Sequence, residues 1–218
     1  MSTARWFVSV ALVVAAYAPA QAQTVRTSPF VSNPTNVNDF QTIGGPYFPT
    51  KTTYTKGGVD VRYNGSASCG DNIWTERSET YSWYVCGGGY GFTSISLTGG
   101  GAFSAIDFLA GNGWSSTNVN LVYQLMLSGA SVATGNAGAM SDNRSTFGFD
   151  GLLMDEVRLQ AIYDGSNASF NPTQYEALDL DNIRIDAVVA SPEPATITLL
   201  LTGLGLIATV RRRRQTAE

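Results

Sequence analysis

The sequence predicts an all-β protein: a single antiparallel β-sandwich with a hydrophobic segment at each end of the chain. Three observations carry that reading. Charged residues make up only 14% of the 218 residues while Gly numbers 23 and aromatic residues reach 11%, a balance that excludes a helical bundle or coiled coil. Short segments alternate apolar and polar residues with period two, and Gly, Asn and Ser separate them, which is the pattern of half-buried antiparallel strands. Between the two ends no segment carries a 3.6-residue apolar stripe. A hydrophobic fraction of 44% argues against disorder, and the length suits one domain.

Residues 1–22 read as a signal peptide. Arg5 supplies a positive n-region, and the apolar run from Trp6 to Tyr17 is too short to span a bilayer. Ala20 and Ala22 form a small-residue cleavage site, with the cut before Gln23. The mature chain is therefore expected to fold outside the cytoplasm.

The sandwich is expected over residues 23–190. Val59-Val61-Tyr63, Tyr81-Trp83-Val85, Thr93-Ile95-Leu97, Leu121-Tyr123-Leu125-Leu127 and Val157-Leu159-Ala161 each place their large residues on one face. Nine to eleven such strands suit two packed sheets. The last strand holds a phase change. Leu178 and Leu180 share one phase and Ile183 and Ile185 the other, so a bulge is predicted near Asp181-Asn182.

Charge and composition exclude several chemistries. There is no histidine, so neither a Ser-His-Asp nor a Cys-His nucleophile system exists, nor any metal site with an imidazole ligand. Residues 24–190 hold eight basic and fifteen acidic side chains, a net charge of −7. Such a body repels phosphate, so no nucleic-acid partner is expected, and it tends to attract cations. Cys69 and Cys86 are the only cysteines; in an exported chain they read first as a structural disulfide, with a redox or metal pair as the alternative. The bridge would staple a hairpin rich in Trp and Tyr.

The Gly-rich stretches at 87–91 and 99–101 lack the helix and Gly-Lys-Ser/Thr of a phosphate loop and read as turns. A glycan hydrolase needs two carboxylates facing each other across a cleft. Glu76 with Glu79, or Asp155 with Glu156, can be nominated, but neighbours on a strand point to opposite faces and no acid stands in a hydrolase motif. The chain is expected not to be an enzyme. Aromatic rings are the better lead, because they stack on sugar faces while nearby amides supply hydrogen bonds. Trp114 and Asn112 in a predicted loop, with Trp74 and Tyr90, are the candidate ligand-binding residues.

The C-terminal segment, 191–218, is more specific. Pro192-Glu193-Pro194 precedes sixteen uncharged, mostly apolar residues, Ala195 to Val210, and then Arg211-Arg212-Arg213-Arg214. Pro194 suits the first turn of a helix over 195–210. The arginines can snorkel to the interface and, by the positive-inside rule, stay cytoplasmic. In order, spacing and position these parts resemble a PEP-CTERM sorting signal. The resemblance implies recognition by an exosortase, a transient single-pass anchor in the inner membrane with the bulk periplasmic, and delivery to the cell surface or extracellular matrix in an exopolysaccharide or biofilm setting.

The closing Leu178-Asp-Leu-Asp-Asn-Ile183 strand is similar to the last strand of jelly-roll lectin and carbohydrate-binding modules. That resemblance implies a jelly-roll sandwich and, with it, a structural calcium. Asp155 falls in phase with Val157 and Leu159, on the apolar face, where a carboxylate needs a backbone N–H, an arginine or a cation. Asp39 and Asp181 complete the candidate calcium ligands, hard oxygen donors of the right type. The function expected is a non-enzymatic exported surface or matrix protein that binds polysaccharide. A purely structural or adhesive protein is the rival reading, and a glycan hydrolase the third.

Overall fold

The fold grows from strands whose alternating side chains bury on one face. In a computed structural model, residues 23–41, 53–66, 71–76, 80–86, 88–112, 118–163, 168–174 and 176–188 are described, without the side chains of 71–76 and 80. The predicted signal peptide, Cys69, Glu79, Trp114, the Pro192-Glu193-Pro194 motif, the 195–210 helix and Arg211 to Arg214 lie outside the described residues.

Thirteen strands follow one another among those residues: β1 (Thr24–Arg26), β2 (Asn36–Asn38), β3 (Thr53–Lys56), β4 (Val59–Ser66), β5 (Asp71–Glu76), β6 (Thr80–Val85), β7 (Tyr90–Leu97), β8 (Phe103–Gly111), β9 (Val119–Leu127), β10 (Ala130–Met140), β11 (Ser145–Met154), β12 (Glu156–Tyr163) and β13 (Leu178–Ala187). The number exceeds the expected nine to eleven because β1 and β2 are three-residue pieces too short to show a pattern.

Two antiparallel sheets form. Sheet A runs β1-β11-β8-β13-β6-β5 with β2 also against β13, and sheet B runs β10-β9-β12-β7-β4-β3. From β6 onward each connection crosses between sheets, except the β9–β10 hairpin. The resulting order, β6-β13-β8-β11 against β7-β12-β9-β10, is the strand order of a jelly roll.

The sheets pack face to face. The Tyr123 ring of sheet B lies 4.6 Å from the Phe149 ring of sheet A, and the Trp83 indole N–H donates to Thr93 Oγ1 across the gap at 3.3 Å. Val59, Val61, Ile95, Leu125 and Leu159 are fully buried, as their phases require.

The predicted bulge in β13 is present. Leu180 pairs with Ala110 and Asp181 with Leu109, but Arg184 pairs with Asp107, so three steps on β13 match two on β8. Asn182 takes φ 48 to make the extra residue, and asparagine is among the few side chains that enter the left-handed region readily. Leu178, Leu180, Ile183 and Ile185 are therefore all fully buried. The bulge also marks a change of neighbour: β13 pairs with β6 before it and with β2 after it.

The antiparallel order gives the sandwich two distinct ends. One end gathers the end of β8, the start of β9, the start of β7, the end of β12 and the start of β13; we call it the distal end. The opposite end gathers the β3–β4, β7–β8, β9–β10 and β11–β12 connections and the last residues of β13; we call it the exit end.

Candidate functional site

The distal end is shaped by close backbone packing and one buried amide. Gly65 and Gly91 face each other across β4 and β7. A Cβ on either would overlap the other strand's backbone, so only glycine lets these strands converge beside Tyr90. Next to them, Gln160 is fully buried. Its Nε2 donates to Asn171 O at 2.7 Å and to Gly91 O, and its Oε1 accepts the Asn171 N–H at 2.7 Å. The Gly91 N–H donates to Pro172 O at 2.9 Å. Residues 168–174 are thereby strapped across the outside of sheet B, where Ala168 and Phe170 cover Val122 and Ile162.

At this distal end Tyr90 and Tyr163 are each 59% exposed, the most exposed large apolar side chains among the described residues. The loop between β8 and β9, which contains Trp114, leaves from this same end. By strand alternation Tyr90, opposite Ser66, falls on the outer face of sheet B and Tyr163, opposite the core residue Val119, on the inner face. The distal end thus exposes a phenol on each side, and an exposed phenol can stack on a sugar ring while hydroxyls and amides hydrogen-bond its edges.

A second concentration of chemistry lies on the outer face of sheet A. Asp107 is buried and accepts both Nε and Nη2 of Arg184 at 2.7 Å. Asp107 Oδ2 also accepts the N–H groups of Phe30 and Val31 at 2.8 and 2.9 Å. This ties the segment after β1 across the sheet, as Gln160 ties the strap on the other side. Pro29, Leu109, Thr146, Asn182 and Arg184 rim a small depression of about 80 Å³ there.

Nearer the distal end, Arg144 donates from Nε to Asp179 at 2.6 Å and from Nη1 to Asp181 at 2.9 Å. Burial pushes the Asp179 carboxyl above its ordinary value, and Arg144 and Ser82 only partly offset it. Burial likewise raises Asp181, to about 6, against Arg144 and the Asn182 N–H, with Asp179 and Asp39 pushing it further up. One guanidinium thus serves two buried carboxylates, so the pair holds a proton more readily than exposed aspartates do.

The nominated residues do not all share one place. Tyr90 is exposed at the distal end. Asn112 is also at that end but is buried, with its N–H donated to Ser141 O at 3.0 Å, so its side chain is not presented at the surface. Trp74 is known here only by register, opposite Ser82 in β5–β6. Trp83, with the inward phase, is buried in the core. Cys86 is buried and carries no free thiol.

The three candidate calcium ligands are not a cluster. Asp155 takes the backbone N–H among its expected partners: it sits at the exit-end corner between β11 and β12, where its carboxylate accepts the Ser128 N–H at 2.6 Å. Asp181 belongs to Arg144, on the outer face of sheet A towards the distal end. Asp39 pairs with Lys56; burial works to raise its carboxyl, but Lys56 and the Gln41 N–H outweigh that and hold it below the ordinary value. Among the described residues no group of three acidic or thiol ligands is arranged to hold a metal ion.

Sequence reasoning missed Tyr163 and Gln160 as parts of the distal end. Tyr163 continues the inward phase of Val157, Leu159 and Ala161 but lies at the strand's last position, past the edge of the core. Gln160 has the outward phase, and only the strap over it explains its burial.

Comparison with known proteins adds one specific match. Residues 192–214 match the PEP-CTERM protein-sorting motif, which marks the chain as an exported protein. No curated protein matches the chain. Among solved structures, a variant of the family 29 carbohydrate-binding module CBM29-2 aligns with 14% identity over 69% of this chain and 99% of its own, at a TM-score of 0.37. The family 29 module CBM29-1 from Piromyces equi aligns with 11% identity over 64% of this chain and 88% of its own, at 0.35. The module CtCBM11 aligns with 13% identity over 79% of this chain and 99% of its own, at 0.29. At these identities and TM-scores no ligand passes from those modules to this chain.

Proposed function

We propose that this is a non-enzymatic exported protein, sorted by an exosortase through residues 192–214, whose sandwich binds polysaccharide at its distal end. The observation that carries the binding half is the pair of exposed tyrosines, Tyr90 and Tyr163, at the end from which the Trp114 loop also leaves. The sorting half is carried by the motif at 192–214. In this reading the 195–210 helix anchors the chain in the inner membrane until processing, and the body then reaches the cell surface or matrix. A Cys69–Cys86 disulfide suits that compartment. The non-enzymatic part is favoured because the buried carboxylates Asp107, Asp179 and Asp181 are each spent on an arginine rather than facing one another across a cleft.

A glycan array probed with the purified chain and with a Trp114→Ala variant tests the binding half. Retention of defined oligosaccharides by the parent chain, weakened in the variant, is expected; no retention of any glycan leaves the structural or adhesive role in its place. Fractionation of a tagged chain lacking Pro192-Glu193-Pro194 tests the sorting half, with accumulation in the membrane fraction expected.

A further inference from the structure

The last strand ends at Ala187 and the sorting motif begins at Pro192. The membrane segment itself starts at Ala195, eight residue steps beyond Ala187, which reach at most about 29 Å even when fully extended, and Pro192 and Pro194 stiffen the approach. The sandwich is about as long: ten residues of β13 rise roughly 30 Å at the usual strand spacing. Only a fully stretched link could bring the opposite end to the bilayer, so a membrane-embedded 195–210 segment favours the end from which β13 leaves as the one that meets it.

That end has the surface for it. The exposed large apolar side chains among the described residues divide between the two ends. Tyr90 and Tyr163 are distal, whereas Val132, Leu153 and Val188, exposed by 40%, 42% and 46%, are at the exit end. Backbone pairings link the segments that carry these three. The Val188 N–H donates to Ala102 O. Phe103 pairs with both Ala187 and Met154, which follows Leu153. Asp155 then accepts the N–H of Ser128, in the β9–β10 turn beside Val132.

The turns between are largely glycine, at 57–58, 99–101 and 129, and glycine presents no bulk to hold a flat surface off. The acidic residues there, Asp60, Asp155, Glu156 and Asp186, outnumber the cation Lys56, which is paired with Asp39, so the contact is apolar and enforced by the tether rather than electrostatic.

We infer that, before processing, the sandwich docks its exit end on the lipid bilayer through Val132, Leu153 and Val188, and so holds the Tyr90–Tyr163 end roughly 30 Å out. The inference rests on the anchoring helix of the proposed function and adds to it the domain's orientation and the surface that meets lipid. It gives the short link a purpose: the polysaccharide-binding end stays open while the chain is still anchored.

The full chain in phosphatidylcholine vesicles tests this, with a fluorescent probe on Ser131→Cys at the exit end or on Thr173→Cys at the distal strap, and a headgroup-level spin-labelled lipid as quencher. The chain must float with the vesicles; a chain that does not float overturns the anchoring helix, and the docking with it. For the floating chain, quenching of the Ser131→Cys probe at least twofold stronger than that of the Thr173→Cys probe is expected, and equal or reversed quenching overturns the docking. Adding Leu153→Asp, at an exposed site that leaves the fold intact by circular dichroism, is expected to shrink that difference. A difference left unchanged overturns the apolar contact.

Discussion

Leu180 and Ile183 stand in opposite phases of one strand and yet both bury completely in the same core, because Asn182 between them takes a left-handed conformation and absorbs a residue. The bulge lets the first half of β13 pair with β6 and the second half with β2.

Asn182→Val is accordingly expected to destabilise the domain by about 1–2 kcal/mol, the cost of a β-branched residue in the left-handed region. Asn182→Gly should stay within about 0.5 kcal/mol of the parent, because glycine enters that region freely. Urea unfolding midpoints of the two variants check the order; equal losses would mean that the bulge is not held by the conformation of this residue.

Arg144 is the only cation bonded to Asp179 and Asp181 among the described residues. Removing it as Arg144→Met should cost about 3–5 kcal/mol at neutral pH, as for any buried pair stripped of one partner, and less in acid, where the carboxyls are protonated. The parent carries a related pH signature. Asp181 titrates near 6 when folded against 3.8 as its ordinary value, so between these values the native state holds more protons than the unfolded chain. The stability this group contributes is complete below about pH 4 and is lost as pH rises through 6. Asp39, held below its ordinary value, works in the other direction but only below 3.8. Unfolding midpoints measured from pH 4 to 7 should fall across this window in the parent and fall less in Asp181→Asn.

Gln160 closes the strap over sheet B with a single side chain. Gln160→Leu leaves the Asn171 N–H and the carbonyls of Gly91 and Asn171 without this partner, at about 1–3 kcal/mol for each group left buried and unsatisfied. Amide exchange at Gly91 and Asn171, and proteolysis between residues 164 and 176, should accelerate well before global unfolding. Unchanged exchange would show that the strap is held by its apolar contacts instead.

The proposed Cys69–Cys86 bridge makes a separate prediction. Reduction should destabilise the domain by roughly 3 kcal/mol, as the chain-entropy model gives for a loop of this size. The unreduced protein should take up no maleimide. Uptake of two maleimides without reductant would remove the bridge.

What the sequence made legible were the features set by neighbours along the chain. The alternation of Val59, Val61 and Tyr63, the inward phase of Trp83 and the phase change in β13 all describe one strand against one core. The outer faces were not legible. Asp179 and Asp181 alternate with Leu178 and Leu180 as solvent-facing residues do, and their burial depends on Arg144, some thirty-five residues away in the chain. Asp107 likewise needs Arg184, on another strand. Pairing across such separations leaves no local pattern. The calcium trio met the same limit: Asp39 lies close enough to Asp181 for its charge to act on it, whereas Asp155 sits at the exit-end corner on the Ser128 N–H, a separation that no local pattern shows.

Affinity electrophoresis in native gels cast with bacterial exopolysaccharides measures the central proposal most directly. The parent chain should be retarded by at least one of them, and the Tyr90→Ala, Tyr163→Ala double variant should run with a dissociation constant about tenfold weaker, as two lost ring contacts of roughly 0.5–1.5 kcal/mol each require. Equal retardation of a folded double variant and the parent would contradict a binding surface at the distal end.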